Sequence, residues 1–142
     1  MDFELTDAQR LIRDTVREFA EKELAPLAAE LDRLKRFPEK PLQRLAELGV
    51  LGMTMPPEYG GAGADTVSSC LALMEISRAC ASTGVTVSVL NTLTCEIIYR
   101  HGTEDQRQRY LPALCRGELL AAFSLTAPTS GSDAARLRTT AI

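Results

Sequence analysis

Between Leu11 and Leu31 the apolar residues Leu11, Ile12, Val16, Phe19, Ala20, Leu24, Leu27 and Leu31 return every three or four positions. A helix of 3.6 residues per turn gathers such a series on one face, and a strand scatters it over two. The chain therefore has to fold by burying helical stripes against one another. Thr6 and Gln9, three apart just ahead of the stripe, have the spacing of a capping box, in which a hydroxyl and an amide satisfy free N–H groups at a helix start. Pro26 lies inside the stripe and predicts a kink or break, because it cannot donate to the preceding turn. A shorter helix is expected after Pro38, with Leu42, Leu45 and Leu48 inward and Gly49 as its stop.

Met53 to Asp65 carries two prolines and three glycines and reads as a long loop. Its Gly61-x-Gly63 is not a dinucleotide-binding turn, since no strand precedes it and no third glycine follows at the required offset. From Asp65 a helix is predicted with Leu73, Ile76 and Cys80 on one face, widened by Val67, Cys70 and Met74. Ser82-Thr83-Gly84 interrupts it. Val85, Val87 and Val89 alternate like a strand, but Leu90, Leu93, Ile97 and Ile98 restore the helical period. This segment is apolar nearly all round, which predicts a helix buried at the centre of a bundle. Asn91 and Thr94 are expected there as hydrogen-bonded core polar groups, with the border of a ligand cavity as the other reading. His101-Gly102 ends the helix, and Thr103 with Gln106 caps another reaching about Arg116. Glu104, Asp105, Arg107 and Arg109 are assigned to its solvated face.

Charge and cysteine usage exclude several function classes. The net charge is −3 with no clustered run of Lys or Arg, so there is no basic face for nucleic acid. The opening MDFELTDAQR has no secretory-signal pattern. No uncharged apolar run reaches the roughly 18 residues of a membrane span. Four cysteines without a C-x-x-C pair, and a single histidine, predict reduced thiols in a cytoplasmic protein and no metal site.

Leu119 to Thr126 reads as a strand that Pro128 ends. Thr129, Ser130, Gly131, Ser132 and Asp133 then offer hydroxyls and an unobstructed backbone. Such a turn can hold an anion or the polar edge of a planar ring, and it can equally be a polar hairpin turn. With the run Tyr99 to Ala135, YRHGTEDQRQRYLPALCRGELLAAFSLTAPTSGSDAA, the chain resembles the acyl-CoA dehydrogenase family. That family shows a glycine-led polar helix, Tyr-Leu-Pro, Gly-Glu, a strand and a Thr-Glu-Pro-x-x-Gly-Ser-Asp loop. Leu5-Thr6, Phe19-Ala20, Ala25-Pro26, Phe37-Pro38 and Pro57-Glu58-Tyr59-Gly60-Gly61 are similar to other family marks. Short- and branched-chain members are the most alike.

The resemblance implies an all-α, N-terminal helical bundle domain over residues 1–117, followed by the first strand and flavin loop of a truncated middle β-domain over 118–142. It implies FAD, α,β-dehydrogenation of an acyl-CoA thioester, an electron-transferring flavoprotein as acceptor and a homotetramer. In that chemistry a carboxylate takes the α-proton while hydride leaves Cβ for the flavin, so base and flavin face opposite sides of the substrate. By position, Phe123, Ser124, Leu125 and Thr126 match residues beside the flavin. Pro128, Thr129, Ser130, Gly131 and Ser132 match the loop that wraps it, and Ser132 also matches a contact to the CoA portion of the substrate. Residues around Val89 to Leu93 match the acyl pocket. Ala127 stands where the family usually has Glu, and Ser130 where Ala is common. The catalytic glutamate is expected in a C-terminal region beyond Ile142, so no catalytic residue is assigned and the 142-residue chain alone is expected to be inactive. A non-catalytic helical interaction domain or divergent subunit of the same ancestry is the alternative, and a flavin acyl-CoA oxidase is the alternative among enzymes.

Overall fold

The structure, a computed structural model, describes residues 3–140. Met1 and Asp2, the start of the opening stretch, and Ala141 and Ile142, the end of the second predicted region, lie outside the described residues. Among the described residues seven α-helices follow one another: α1 (Asp7–Phe19), α2 (Ala25–Leu34), α3 (Glu39–Glu47), α4 (Thr66–Ala79), α5 (Ala81–Ser88), α6 (Glu96–His101) and α7 (Glu104–Cys115). A π-helical segment, Ala20–Leu24, joins α1 to α2, and another, Val89–Cys95, joins α5 to α6. The all-α architecture expected from the periodicity is the one observed.

The predicted capping box at Thr6 forms and also bonds to the cap of a second helix. Thr6 Oγ1 accepts from the Gln9 N–H at 3.2 Å, and Gln9 Oε1 accepts from the Thr6 N–H at 3.0 Å. The Gln9 amide then donates to Asp65 Oδ2 at 3.0 Å, while Asp65 Oδ1 accepts from the Ser68 N–H at 2.7 Å and caps α4. The starts of α1 and α4, which pack side by side, are thus tied together. Pro26 does not break the first helix. The chain winds through the π-helical Ala20–Leu24 and Pro26 takes a first-turn position of α2, where a missing N–H costs least. In α3, Leu42 and Leu45 are buried, Leu48 is half-buried, and Gly49 leaves the helix at φ +71°.

Four features differ from the sequence reading. The helix of residues 81–101 begins at Ala81, because the backbone breaks at Cys80 (φ −152°, ψ 102°) and not at Ser82-Thr83-Gly84. Gly84 lies inside it at the crossing with α4. A Cβ there would sit 2.1 Å from Ser77 Oγ, so glycine sets the approach of the two helices. That helix is also not buried all round. Val85 is 62% exposed, and Leu93 and Ile97 also face outward. By length and composition Ala81–His101 could cross a bilayer, but its inner face buries Thr83, Asn91 and Thr94 in the protein, as a core helix does. On α4, Ile76 and Cys80 are buried as predicted, whereas Met74 is 65% exposed, with Val67 and Cys70 outward beside it. The exposed band reflects how α4 packs, since α1 and α5 claim its other faces. Finally, Leu119–Thr126 has no strand ladder among the described residues; one isolated bridge, Ala127 to Ser130, follows it. A strand requires a neighbouring backbone, and the helices saturate their own N–H and C=O groups.

The long loop is part of the core. Val50, Leu51, Met53, Met55 and Tyr59 are all buried, so its backbone needs partners away from water. Asn91 supplies two. Its Oδ1 accepts from the Gly52 N–H at 2.7 Å and its Nδ2 donates to the Val50 carbonyl at 2.9 Å. Gly52 is positive in φ, and a Cβ on it would lie 2.2 Å from Cys115 Sγ of α7. Asn91 is therefore the hydrogen-bonded core group expected, and Thr94 similarly donates to the Leu90 carbonyl at 2.7 Å. Replacing Asn91 with Ala leaves two buried backbone groups unpaired, and urea unfolding should report a loss of about 3 kcal/mol.

A second clamp joins α1 to α4. Glu75 is buried, and its carboxylate accepts from Arg17 at 2.7 Å and from Arg78 at 3.2 Å, while Arg78 also pairs with Glu21 at 2.7 Å. The Arg17 hydrogen bond, against the opposing effect of burial, holds the Glu75 carboxyl below its ordinary 4.5. The stability this adds is complete above the unfolded value and is lost as pH falls through the depressed folded value. Glu75→Gln should therefore lower the urea midpoint at about pH 7, and the difference from the parent should shrink below about pH 4.

Candidate functional site

After α7 the chain turns at Gly117, where the Glu118 N–H bonds to the Ala113 carbonyl at 2.9 Å. Residues 120–126 make no hydrogen bond within the described residues. Ala121 is half-buried against the core, while Phe123, Ser124, Leu125 and Thr126 are exposed. The loop then closes on itself. The Ala127 N–H donates to the Ser130 carbonyl at 2.8 Å and the Ser130 N–H to the Ala127 carbonyl at 3.1 Å, with Pro128 and Thr129 at the tip. Proline suits the second position of such a turn because its φ is preset. Ser130 is buried and its hydroxyl donates to the Asp133 carbonyl. Gly131 is half-buried, Ser132 is exposed, and Asp133 pairs with Arg136 at 3.3 Å at the start of a single turn, Ala134–Arg136.

The nine predicted site residues thus follow one another along the chain, eight of them at least partly exposed and Ser130 buried inside the turn. Phe123 to Thr126 lead into that turn, and Pro128 to Ser132 belong to it. Uncommitted backbone groups and the outward Ser124, Thr126, Thr129 and Ser132 give the segment donors and acceptors but no free carboxylate. This is the donor set of a polar ring edge or an anion, and it contains no general base. In the predicted acyl-pocket segment, Leu90 and Asn91 are buried, Val89 is half-buried, and Thr92 and Leu93 are exposed.

Other chemistry-bearing groups have structural partners. Glu104, assigned to a solvated face, accepts from the buried Tyr59 hydroxyl at 3.0 and 3.1 Å and pins the core loop to α7. Hydrogen bonds from Gln108 and Tyr59 hold its carboxyl below the usual range. Only the pairing of a loop tyrosine with a helix-start acid hinted at this, and periodicity cannot register it. Burial pushes the Cys95 thiol up to about 12 and raises Cys115 as well. Among the described residues no group of His, Cys, Asp or Glu could hold a metal. A cleft of about 370 Å³ between α6 and α7, lined by Ile97, Ile98, His101, Gly102, Gln106 and Tyr110, involves none of the predicted residues.

Residues 6–118 match the family model described as acyl-CoA dehydrogenase, N-terminal domain. The chain belongs to that family. Over all 142 residues it is 44% identical to the short-chain specific acyl-CoA dehydrogenase of Clostridium acetobutylicum, and it spans 38% of that relative's length. It superposes at a TM-score of 0.93 on a chain from a structure of the electron transferring flavoprotein of Acidaminococcus fermentans, with 42% identity over 99% of this chain and 37% of the other. A glutaryl-CoA dehydrogenase from Mycobacterium smegmatis in complex with FADH2 superposes at 0.89, with 36% identity over 95% of this chain and 35% of that one. The loop from Ala127 to Asp133 lies past the family-model match but inside the span aligned to the Clostridium relative.

Thiol chemistry offers a check on this assignment of the cysteines. In a thiol titration of the folded protein, the exposed Cys70 should react first and Cys95 only on unfolding. Rapid modification of Cys95 in the folded state would contradict the buried arrangement.

Proposed function

We propose that the chain is the N-terminal part of an FAD-dependent acyl-CoA dehydrogenase that removes two hydrogens from the Cα–Cβ bond of an acyl-CoA thioester. The observation that carries this reading is the run of uncommitted backbone donors and acceptors from Phe123 to Thr126, with the outward Thr129 and Ser132 of the closed turn after it, placed directly behind the family's helical domain. The donor set fits FAD: backbone groups and the Thr126 hydroxyl suit the pyrimidine edge, and the N–H groups of the turn suit its polar remainder. Ala127 supplies no carboxylate, so the fit depends on the backbone. FAD, when bound, supplies the acceptor for the electrons leaving the acyl chain. Phe123 and Leu125 would shield one side of it from water, Ser124 and Thr126 would orient it, and Pro128, Thr129, Ser130 and Gly131 would shape the loop against it. Ser132 would meet both the cofactor and the CoA portion of the substrate. The proton-abstracting carboxylate belongs, in this reading, to a part of the protein outside residues 1–142. The complex of the glutaryl-CoA dehydrogenase relative with FADH2 supports the cofactor. The flavoprotein structure on which the chain superposes supports an electron-transferring flavoprotein as acceptor. A cytoplasmic homotetramer completes the proposal.

Ala127 favours a second reading, a non-catalytic domain or divergent subunit of the same ancestry. Full-length protein purified and titrated with FAD separates the two. The enzyme reading expects a yellow protein whose flavin absorbance bleaches on adding butyryl-CoA, with little oxygen consumed. Rapid oxygen uptake would identify an oxidase instead, and a colourless protein that takes up no FAD would leave the second reading.

A further inference from the structure

The two positions at which this loop departs from the family pattern, Ala127 and Ser130, are the two ends of its one backbone bridge. Ser130 is also the only buried residue among the described residues from Arg116 to Thr140, at 7% exposure in a segment otherwise open to solvent. Its N–H and carbonyl both bond to Ala127, and its hydroxyl donates to the Asp133 carbonyl. That hydroxyl points into the loop and is spent there, so it is not a donor to a ligand. The loop's shape converges on this one residue, without a sheet beside it.

We propose that Ser130 is a positioning residue for the cofactor: it closes the Ala127–Asp133 loop before FAD arrives, and so stands in for the carboxylate that Ala127 lacks. A glutamate at 127 would have a carboxylate to offer in a charged hydrogen bond. Here the same end is reached by ordering the loop in advance, which lowers the entropy lost on binding. An alanine at 130 would keep the backbone bridge but lose its fastening to Asp133. The proposal rests on the FAD reading above.

The test uses full-length protein stripped of flavin, in the parent, Ser130→Ala, Ser130→Thr and Ala127→Glu/Ser130→Ala forms. FAD affinity is read from flavin fluorescence, and loop order from amide exchange at Ala127 and Ser130 in the flavin-free protein. Ser130→Ala should bind FAD about tenfold more weakly, the scale of one hydrogen bond, and its two amides should exchange about tenfold faster. Ser130→Thr should restore both, and adding Ala127→Glu to Ser130→Ala should recover affinity without recovering slow exchange. Unchanged FAD affinity in Ser130→Ala, or weaker binding with unchanged exchange, overturns the proposal. A parent protein that takes up no FAD overturns the FAD reading itself; the loop-closing role is then decided by exchange alone, and equal exchange in parent and Ser130→Ala refutes it.

Discussion

Two hydrogen bonds from Asn91 decide what the rest of the helical domain can be. A loop rich in glycine and proline ordinarily lies on the surface, where water satisfies its backbone. Here Val50 to Tyr59 runs through the core; the loop's own turns satisfy part of its backbone, and the Asn91 amide answers the Val50 carbonyl and the Gly52 N–H together. Asparagine suits the task because one planar amide offers a donor and an acceptor side by side. Its position lies in the π-helical Val89–Cys95, where the widened turn alters which residues face inward. The close seat of Gly52 against Cys115 then brings α7 onto the same loop. Tyr59 and Glu104 fasten it a second time, at the opposite end of α7.

The α1–α4 pair is held at several separate points, and their chemistry differs. At the helix starts, Gln9 belongs to one cap and donates to the residue that makes the other, so neither helix can fray without disturbing its neighbour. Farther along, Arg17 and Arg78 enclose Glu75, and both arginines keep their outer atoms in water. That arrangement limits the desolvation cost that makes fully buried pairs weak. Between these polar points Val16, Phe19, Ala72 and Ile76 form the apolar seam. The outer sides of α4 and of the helix from Ala81 to His101 keep Met74, Val67, Val85, Leu93 and Ile97 in solvent.

What could be read in the sequence divides along the range of the interactions. Thr6–Gln9 and Thr103–Gln106 form as predicted because a capping box is complete within four residues. Gly49 ends α3 for an equally local reason. Where the outcome depends on a distant partner, local reading misplaced it. Gly84 looks like a helix breaker until Ser77 is placed against it, and Glu104, exposed as predicted, shows its second role only when Tyr59 reaches it. Val67, Cys70 and Met74 lie at helical spacing, yet periodicity cannot say which apolar face a neighbour will cover. The strand expected at Leu119–Thr126 is the strongest instance, since a ladder needs a second backbone that the segment cannot supply itself.

The candidate site was legible for a different reason. Nothing in the composition of Thr129 to Asp133 separates a ligand loop from a polar turn, and both descriptions hold for the loop observed. Family resemblance nominated the residues, but it could not say how this version of the loop keeps its shape. That depends on Ala127 and Ser130 meeting across two backbone bonds while the Ser130 hydroxyl reaches Asp133. Taken singly, Ala127 is the loss of a charged group and Ser130 a minor gain of polarity. Placed at the two ends of one bridge, they are parts of one change, in which a hydrogen bond within the loop replaces one offered to the ligand. Such a loop gives up some enthalpy of contact and keeps its backbone donors already aligned, the trade that preorganised binding sites make.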